Sequence, residues 1–150
     1  KDMDLSNKVF EIISLIAILC SVYLLSIEVE RYSESTNVAT YQKLNSDISN
    51  LHLKIHTEPY LRRVVAKRDK DGIESLSNEQ KDALYAVQMT LLRITEVAYT
   101  AWNKQIISDK QMERFAFGAC TAFEGVSENK KGPILVTENY ITYLETICDQ

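Results

Sequence analysis

The sequence predicts an all-α protein: a single transmembrane helix continuing into a helical stalk, followed by a compact helical bundle. Three observations predict it. Only four glycines and two prolines interrupt 150 residues, so the chain lacks the turn punctuation of a many-stranded sheet. Residues 9–27, VFEIISLIAILCSVYLLSI, form an apolar run with one charge, Glu11. Beyond that run, apolar residues recur at the three- and four-residue spacing of a helix face.

The apolar run comes first. At about 1.5 Å per residue, nineteen helical residues reach about 30 Å, the thickness of a bilayer's hydrocarbon core. Apolar side chains occupy every side of the helical wheel, as in a helix surrounded by hydrocarbon or wholly buried. Ser14, Ser21 and Ser26 are tolerated because a hydroxyl can bond back to a carbonyl one turn earlier. A cleaved signal peptide would end in a small-x-small site, whereas this run passes into SIEVERYSES. A buried core helix is the competing reading, but a small bundle of amphipathic helices has little room for one that is apolar all round.

Charge leaves the orientation open, because Lys8 before the run is matched by Arg31 after it. Cys20, Cys120 and Cys148 form no CxxC pair, which fits neither a disulfide framework nor a zinc knuckle. Free thiols in a reducing compartment are the simpler expectation, and they place the helical domain in the cytoplasm. Pairing of Cys120 with Cys148 is the alternative if the domain lies outside.

After the span, Val38, Tyr41, Leu44, Ile48, Leu51 and Ile55 are spaced 3, 3, 4, 3 and 4 apart with no Gly or Pro between them. This is the narrow seam that a helix pair buries, against the chain's own bundle or another chain. Thr57 and Pro59 read as an N-cap and an early helical proline, opening a short helix to about Lys67, with RDKDG as a loop. Ser77 with Gln80 is a capping-box signature for a helix to about Lys104. Its apolar face is broad: Leu84, Val87, Leu91, Ile94, Ala98 and Trp102, with Tyr85, Met89, Leu92 and Tyr99 beside them. Ser108 with Gln111 repeats the signature for a helix that Gly125 ends, VSENKKGP is a second loop, and Thr137 caps a final helix. The organisation expected is an anchor at 1–30, a stalk at 31–57 and a bundle at 58–150.

Few residues suggest chemistry. The charge of -4 and the pI near 5.2 argue against a nucleic-acid partner, which calls for a basic surface. His52 and His56, one turn apart, are weak candidates for a metal, since a site needs three protein ligands or more; polar residues flanking an interface are the plainer reading. KRDKDGIESLSN imitates a calcium loop but has Lys67 and Asn78 where the first ligand and the bidentate Glu belong. Arg62, Arg63, Lys67 and Arg68, with Lys70, are either an ordinary solvated face or a contact for anionic lipid or an acidic partner. Tyr99, Trp102, Phe115, Phe117 and Phe123 could line a pocket, although aromatics at helical spacing more often pack a core. No nucleophile elbow, phosphate-cradling loop or HExxH occurs, and no cofactor is expected.

The stretches TEPYLRRVV and TEVAYTAWNKQIISDKQMERF, with a short closing helix, resemble a loose group of small, uncharacterised bacterial proteins. Those proteins have one N-terminal span, a polar helical stalk and a compact bundle. The resemblance implies an anchor and a domain; it supplies no activity and no functional residues. The expectation is a non-catalytic, membrane-anchored interaction module: an accessory subunit of a larger membrane complex, or a self-associating scaffold. It would contact membrane lipid and other subunits or itself through Tyr41, Leu44, Ile48, Leu51 and Ile55. The alternative is an anchored sensor or effector whose bundle binds a small ligand or metal.

Overall fold

The structure is a computed structural model that describes the backbone of residues 2–129 and 134–148 and the side chains of residues 13–129 and 134–148. Among the described residues there is no strand. Five α-helices follow one another: α1 (Asp2–Thr57), α2 (Pro59–Asp71), α3 (Asn78–Asn103), α4 (Asp109–Asn129) and α5 (Glu138–Cys148), with a 3-10 turn at Ile73–Ser75 between α2 and α3. The all-α expectation holds, including the long apolar N-terminal helix ahead of a helical bundle.

Contacts divide the chain into two compact units, Lys1–Ala39 and Thr40–Gln150. The first is helix throughout its described part. Residues 40–57, read from sequence as stalk, belong to the same unit as the bundle. The side chains of Lys8, which entered the orientation argument, and of Glu11, the one charge of the apolar run, lie outside the described residues, as does segment 130–133 of the second expected loop.

In the second unit, large residues on one helix oppose small residues on the next. Met89 and Leu92 of α3 pack with Ala119 and Ala122 of α4, and α5 adds Tyr140 and Leu144 to the same cluster. One end along, the pairing reverses: Met112 and Phe115 of α4 pack with Ala98 and Ala101 of α3. Alternating bulk in this way lets two helices approach closely and fill the space between them. Val64, Leu76 and Leu84 form a third, smaller cluster that fastens α2 and the following turn to the start of α3.

The helix ends explain the boundaries. Ser77 and Gln80 form the expected capping box, the Ser77 N–H donating to Gln80 Oε1 at 3.0 Å and the Gln80 N–H to Ser77 Oγ at 3.3 Å. Ser108 and Gln111 do the same at 2.8 and 3.4 Å. α3 closes in a Schellman turn: the Ile106 N–H reaches Ala101 O at 2.9 Å and the Gln105 N–H reaches Trp102 O at 2.8 Å, with Gln105 left-handed at φ 58°.

Three expected boundaries are corrected. The cap of α2 is Glu58, without a side-chain cap bond, because Thr57 Oγ1 bonds back to Leu53 O at 2.8 Å. α2 continues past Lys67 to Asp71, so most of RDKDG is helix and Gly72, at φ 79°, makes the turn. α4 runs through Gly125 to Asn129, because Gly125 is buried in the bundle rather than placed at a helix end.

Candidate functional site

Two surfaces are distinctive. The first is the apolar part of α1. From Ile13 to Val29 its large apolar side chains, apart from the half-exposed Ile27, are between 54% (Ile16) and 68% (Val29) exposed, so no stripe of the helix is covered by the protein. The segment is long and apolar enough to cross a membrane and lies near the N-terminus. Ser21 is satisfied internally, its hydroxyl donating to Ala17 O at 2.8 Å. A bare apolar helix of this kind is stable only where its surroundings are themselves apolar.

The second surface lies in the Thr40–Gln150 unit, where α1 meets α3. Leu44 is 3% exposed and packs with Ala98, Ala101, Met112 and Phe115. Tyr41 and Ile48 join that cluster at its edge. Tyr41 also meets Phe115 edge-on at 6.1 Å and accepts a 3.0 Å hydrogen bond from Arg114 Nη1. The seam expected to need a partner face therefore finds it, for Tyr41, Leu44 and Ile48, on the chain's own α3 and α4. Leu51 and Ile55 are half-buried, while Val38 is exposed. Beside the seam runs a groove of about 400 Å³ lined by Thr40, Lys43, Leu44, Asp47, Thr90, Arg93, Ile94 and Val97. Its floor is apolar and its rim charged, with Lys43 paired to Asp47 at 3.1 Å.

The remaining candidates fall elsewhere. His52 and His56 are exposed, and among the described residues no group of three His, Cys, Asp or Glu side chains is placed to hold a metal. Arg62 and Arg63 project from α2 into solvent, Lys67 is half-exposed, and Arg68 is engaged with Asp69 at 2.9 Å. Tyr99 and Trp102 lie with Tyr140 and Tyr143 in a cluster of tilted rings. Tyr99 lies 4.8 Å from Tyr143 and 5.2 Å from Tyr140, and Trp102 lies 5.7 Å from Tyr143, ring centre to ring centre. Phe117 stands apart, 84% exposed.

One feature was read from the sequence only as the alternative, and another escaped it. Cys120 and Cys148 form a disulfide, S–S 2.09 Å, with Cα atoms 5.3 Å apart, joining α4 to the end of α5. The expectation of free thiols at these positions is corrected, and the argument for a cytoplasmic domain loses its premise; among the described residues Cys20 alone is free. The signal was available in part, since both residues lie on amphipathic helices, but spacing alone does not bring the two helices together. The second feature is polar: Gln88, Thr95 and Asn129 are buried along the α3–α4–α5 contact. Periodicity marked that face by its apolar members and passed over them.

One further charge meets the start of α5. Thr137 holds the expected cap position, its carbonyl accepting from the Tyr140 and Ile141 N–H groups, and its own backbone N–H donates to Glu96 Oε1 at 2.7 Å. A carboxylate at a helix N-terminus is favoured by the helix dipole, and here it comes from a neighbouring helix. No family model matches the chain, and no characterised protein or solved structure matches it.

Proposed function

We propose that this chain is a non-catalytic, membrane-anchored helical interaction module, held by one span at residues 9–27 and serving as an accessory subunit or self-associating scaffold. The observation that carries the reading is the bare apolar surface of α1 from Ile13 to Val29, which lipid or the helices of a membrane complex would cover. The binding face assigned to the helical unit is the groove beside the seam, whose apolar floor ends in the exposed Val97 and whose rim carries Lys43, Asp47 and Arg93. A partner helix would lay an apolar stripe along Leu44, Ile94 and Val97. The half-buried Leu51 and Ile55 are the seam residues left for the same contact.

The helical unit is assigned to an oxidising compartment rather than to the cytoplasm. The support is the Cys120–Cys148 disulfide, since such bonds persist mainly outside reducing compartments.

The test is fractionation followed by identification of bound proteins. The full chain should stay in the membrane pellet through carbonate washing, a chain beginning at Tyr32 should be soluble, and mild-detergent purification should retain a stoichiometric partner or an oligomer. Val97→Glu should release that partner without unfolding the bundle. Full-length protein that is monodisperse without detergent would overturn the anchor, and a strictly monomeric, partner-free protein in native membranes would overturn the module.

A further inference from the structure

We propose that the Cys120–Cys148 disulfide is a thiol–disulfide exchange site for a dithiol redox protein that docks on Phe117. Both cysteines are half-exposed and line a surface concavity of about 370 Å³ together with Phe117, Thr121, Glu124 and Ile147. Phe117 is one helical turn before Cys120, on the same side of α4 as Thr121 and Glu124, and its ring is 84% exposed. A single exposed apolar residue is ordinary; a bare phenyl ring on the rim of an open disulfide is a contact surface beside a reactive bond. The fold also does not rest on the bond alone. Tyr140 and Leu144 bury α5 in the core, and Glu96 holds the Thr137 N–H at its start, so a reduced chain keeps α5 in place and can be reoxidised.

The exchange runs in two steps. A thiolate of the redox protein attacks one sulfur of the pair, the Cys120–Cys148 bond breaks, a mixed disulfide forms, and the other cysteine leaves as a thiolate and takes up a proton. The second thiolate of the redox protein then attacks the mixed disulfide, forming that protein's own disulfide and releasing the second cysteine as a thiol. Two electrons and two protons pass from the dithiol to this chain, and the reverse sequence restores the bond.

The experiment uses the full chain in detergent micelles with two reductants, thioredoxin and dithiothreitol, at concentrations giving similar rates. Phe117→Ser should slow reduction by thioredoxin about tenfold, the loss of one docking anchor, and leave reduction by dithiothreitol within about twofold. Phe117→Leu should retain most of the thioredoxin rate. Thioredoxin lacking its resolving cysteine should remain covalently joined to Cys120 or Cys148. Equal slowing with both reductants would mean that the ring merely shields the bond. That result, an unchanged thioredoxin rate in Phe117→Ser, or failure to trap the mixed disulfide would each overturn the assignment.

Discussion

The phenol of Tyr140 donates a 2.7 Å hydrogen bond to the hydroxyl of Thr95, and both residues are 0% exposed. Thr95 passes the interaction on, its Oγ1 lying 2.9 Å from Leu91 O and 3.0 Å from Leu92 O. The buried phenol depends on Thr95 for its hydrogen bond, whereas the Thr95 hydroxyl is also satisfied by the two backbone carbonyls. Thr95→Val should therefore cost about 1–3 kcal/mol, because it strands the Tyr140 hydroxyl, and Tyr140→Phe about 1 kcal/mol. The double variant should cost less than the sum, because no orphan remains. Denaturant titration of the three variants checks this; strict additivity would mean that the bond contributes nothing to the attachment of α5.

The same burial sets an alkaline limit. Desolvation raises Tyr140 far above the ordinary tyrosine value near 10, and burial followed by the neighbouring Tyr99 raises Tyr143. A raised folded-state value leaves stability unaffected below pH 10 and removes it above, since the unfolded chain then loses its phenolic protons first. Stability should fall as pH rises beyond 10, and the fall should be shallower in Tyr140→Phe. Melting temperatures between pH 8 and 11 are the measurement, and equal slopes in the two proteins would sink the account.

Gln105 is a separate opportunity. It occupies the left-handed position of the Schellman turn at φ 58°, where glycine has no Cβ to clash. Gln105→Gly should stabilise the chain by about 0.5–1 kcal/mol, the relief of left-handed strain less the entropy of a freer unfolded chain. Equilibrium unfolding would read it, and a loss of stability would show that the glutamine side chain holds the turn.

The seam can now be tested as an internal contact. Leu44→Ala should cost about 2–5 kcal/mol in bundle stability, because Leu44 is buried against Ala98, Ala101, Met112 and Phe115. Leu51, two turns further along the same stripe, is only half-buried; Leu51→Ala should therefore cost markedly less. Thermal melts of the two variants decide it, and equal effects would mean that the seam packs uniformly.

What was legible in the sequence was whatever leaves a local mark. Ser77–Gln80 and Ser108–Gln111 announced two helix starts, because a capping box is written within four residues. The apolar run announced α1, because hydrocarbon demands apolar residues on every side. Gly125 misled, because a glycine can end a helix or let a neighbour approach, and only the neighbour distinguishes them. The Glu96 contact at Thr137 and the buried Gln88 were silent, and the Cys120–Cys148 bond was legible only as an alternative, since each depends on which helices meet.

Gln88 makes the last of these points testable. Its side chain lies over Gly125, so that a methyl group added there would overlap the amide and come within 2.7 Å of its Cδ. Among the described residues neither the Nε2 nor the Oε1 of Gln88 has a partner, and Asn129 Oδ1 on α4 has none either, although Asn129 Nδ2 donates to Lys81 O at 2.8 Å. Buried amides without partners cost free energy, on the order of 1–3 kcal/mol, so Gln88 opposes stability while Gly125 makes room for it. Gly125→Ala alone should destabilise by about 1–3 kcal/mol through overpacking. Gln88→Ala removes the orphaned amide and leaves space that the added methyl can fill. Gly125→Ala should accordingly be neutral or stabilising in the Gln88→Ala background, a coupling of at least about 1 kcal/mol that denaturant titration can measure. Gly125→Ala costing the same with and without Gln88 would place the clash elsewhere in the α3–α4 contact.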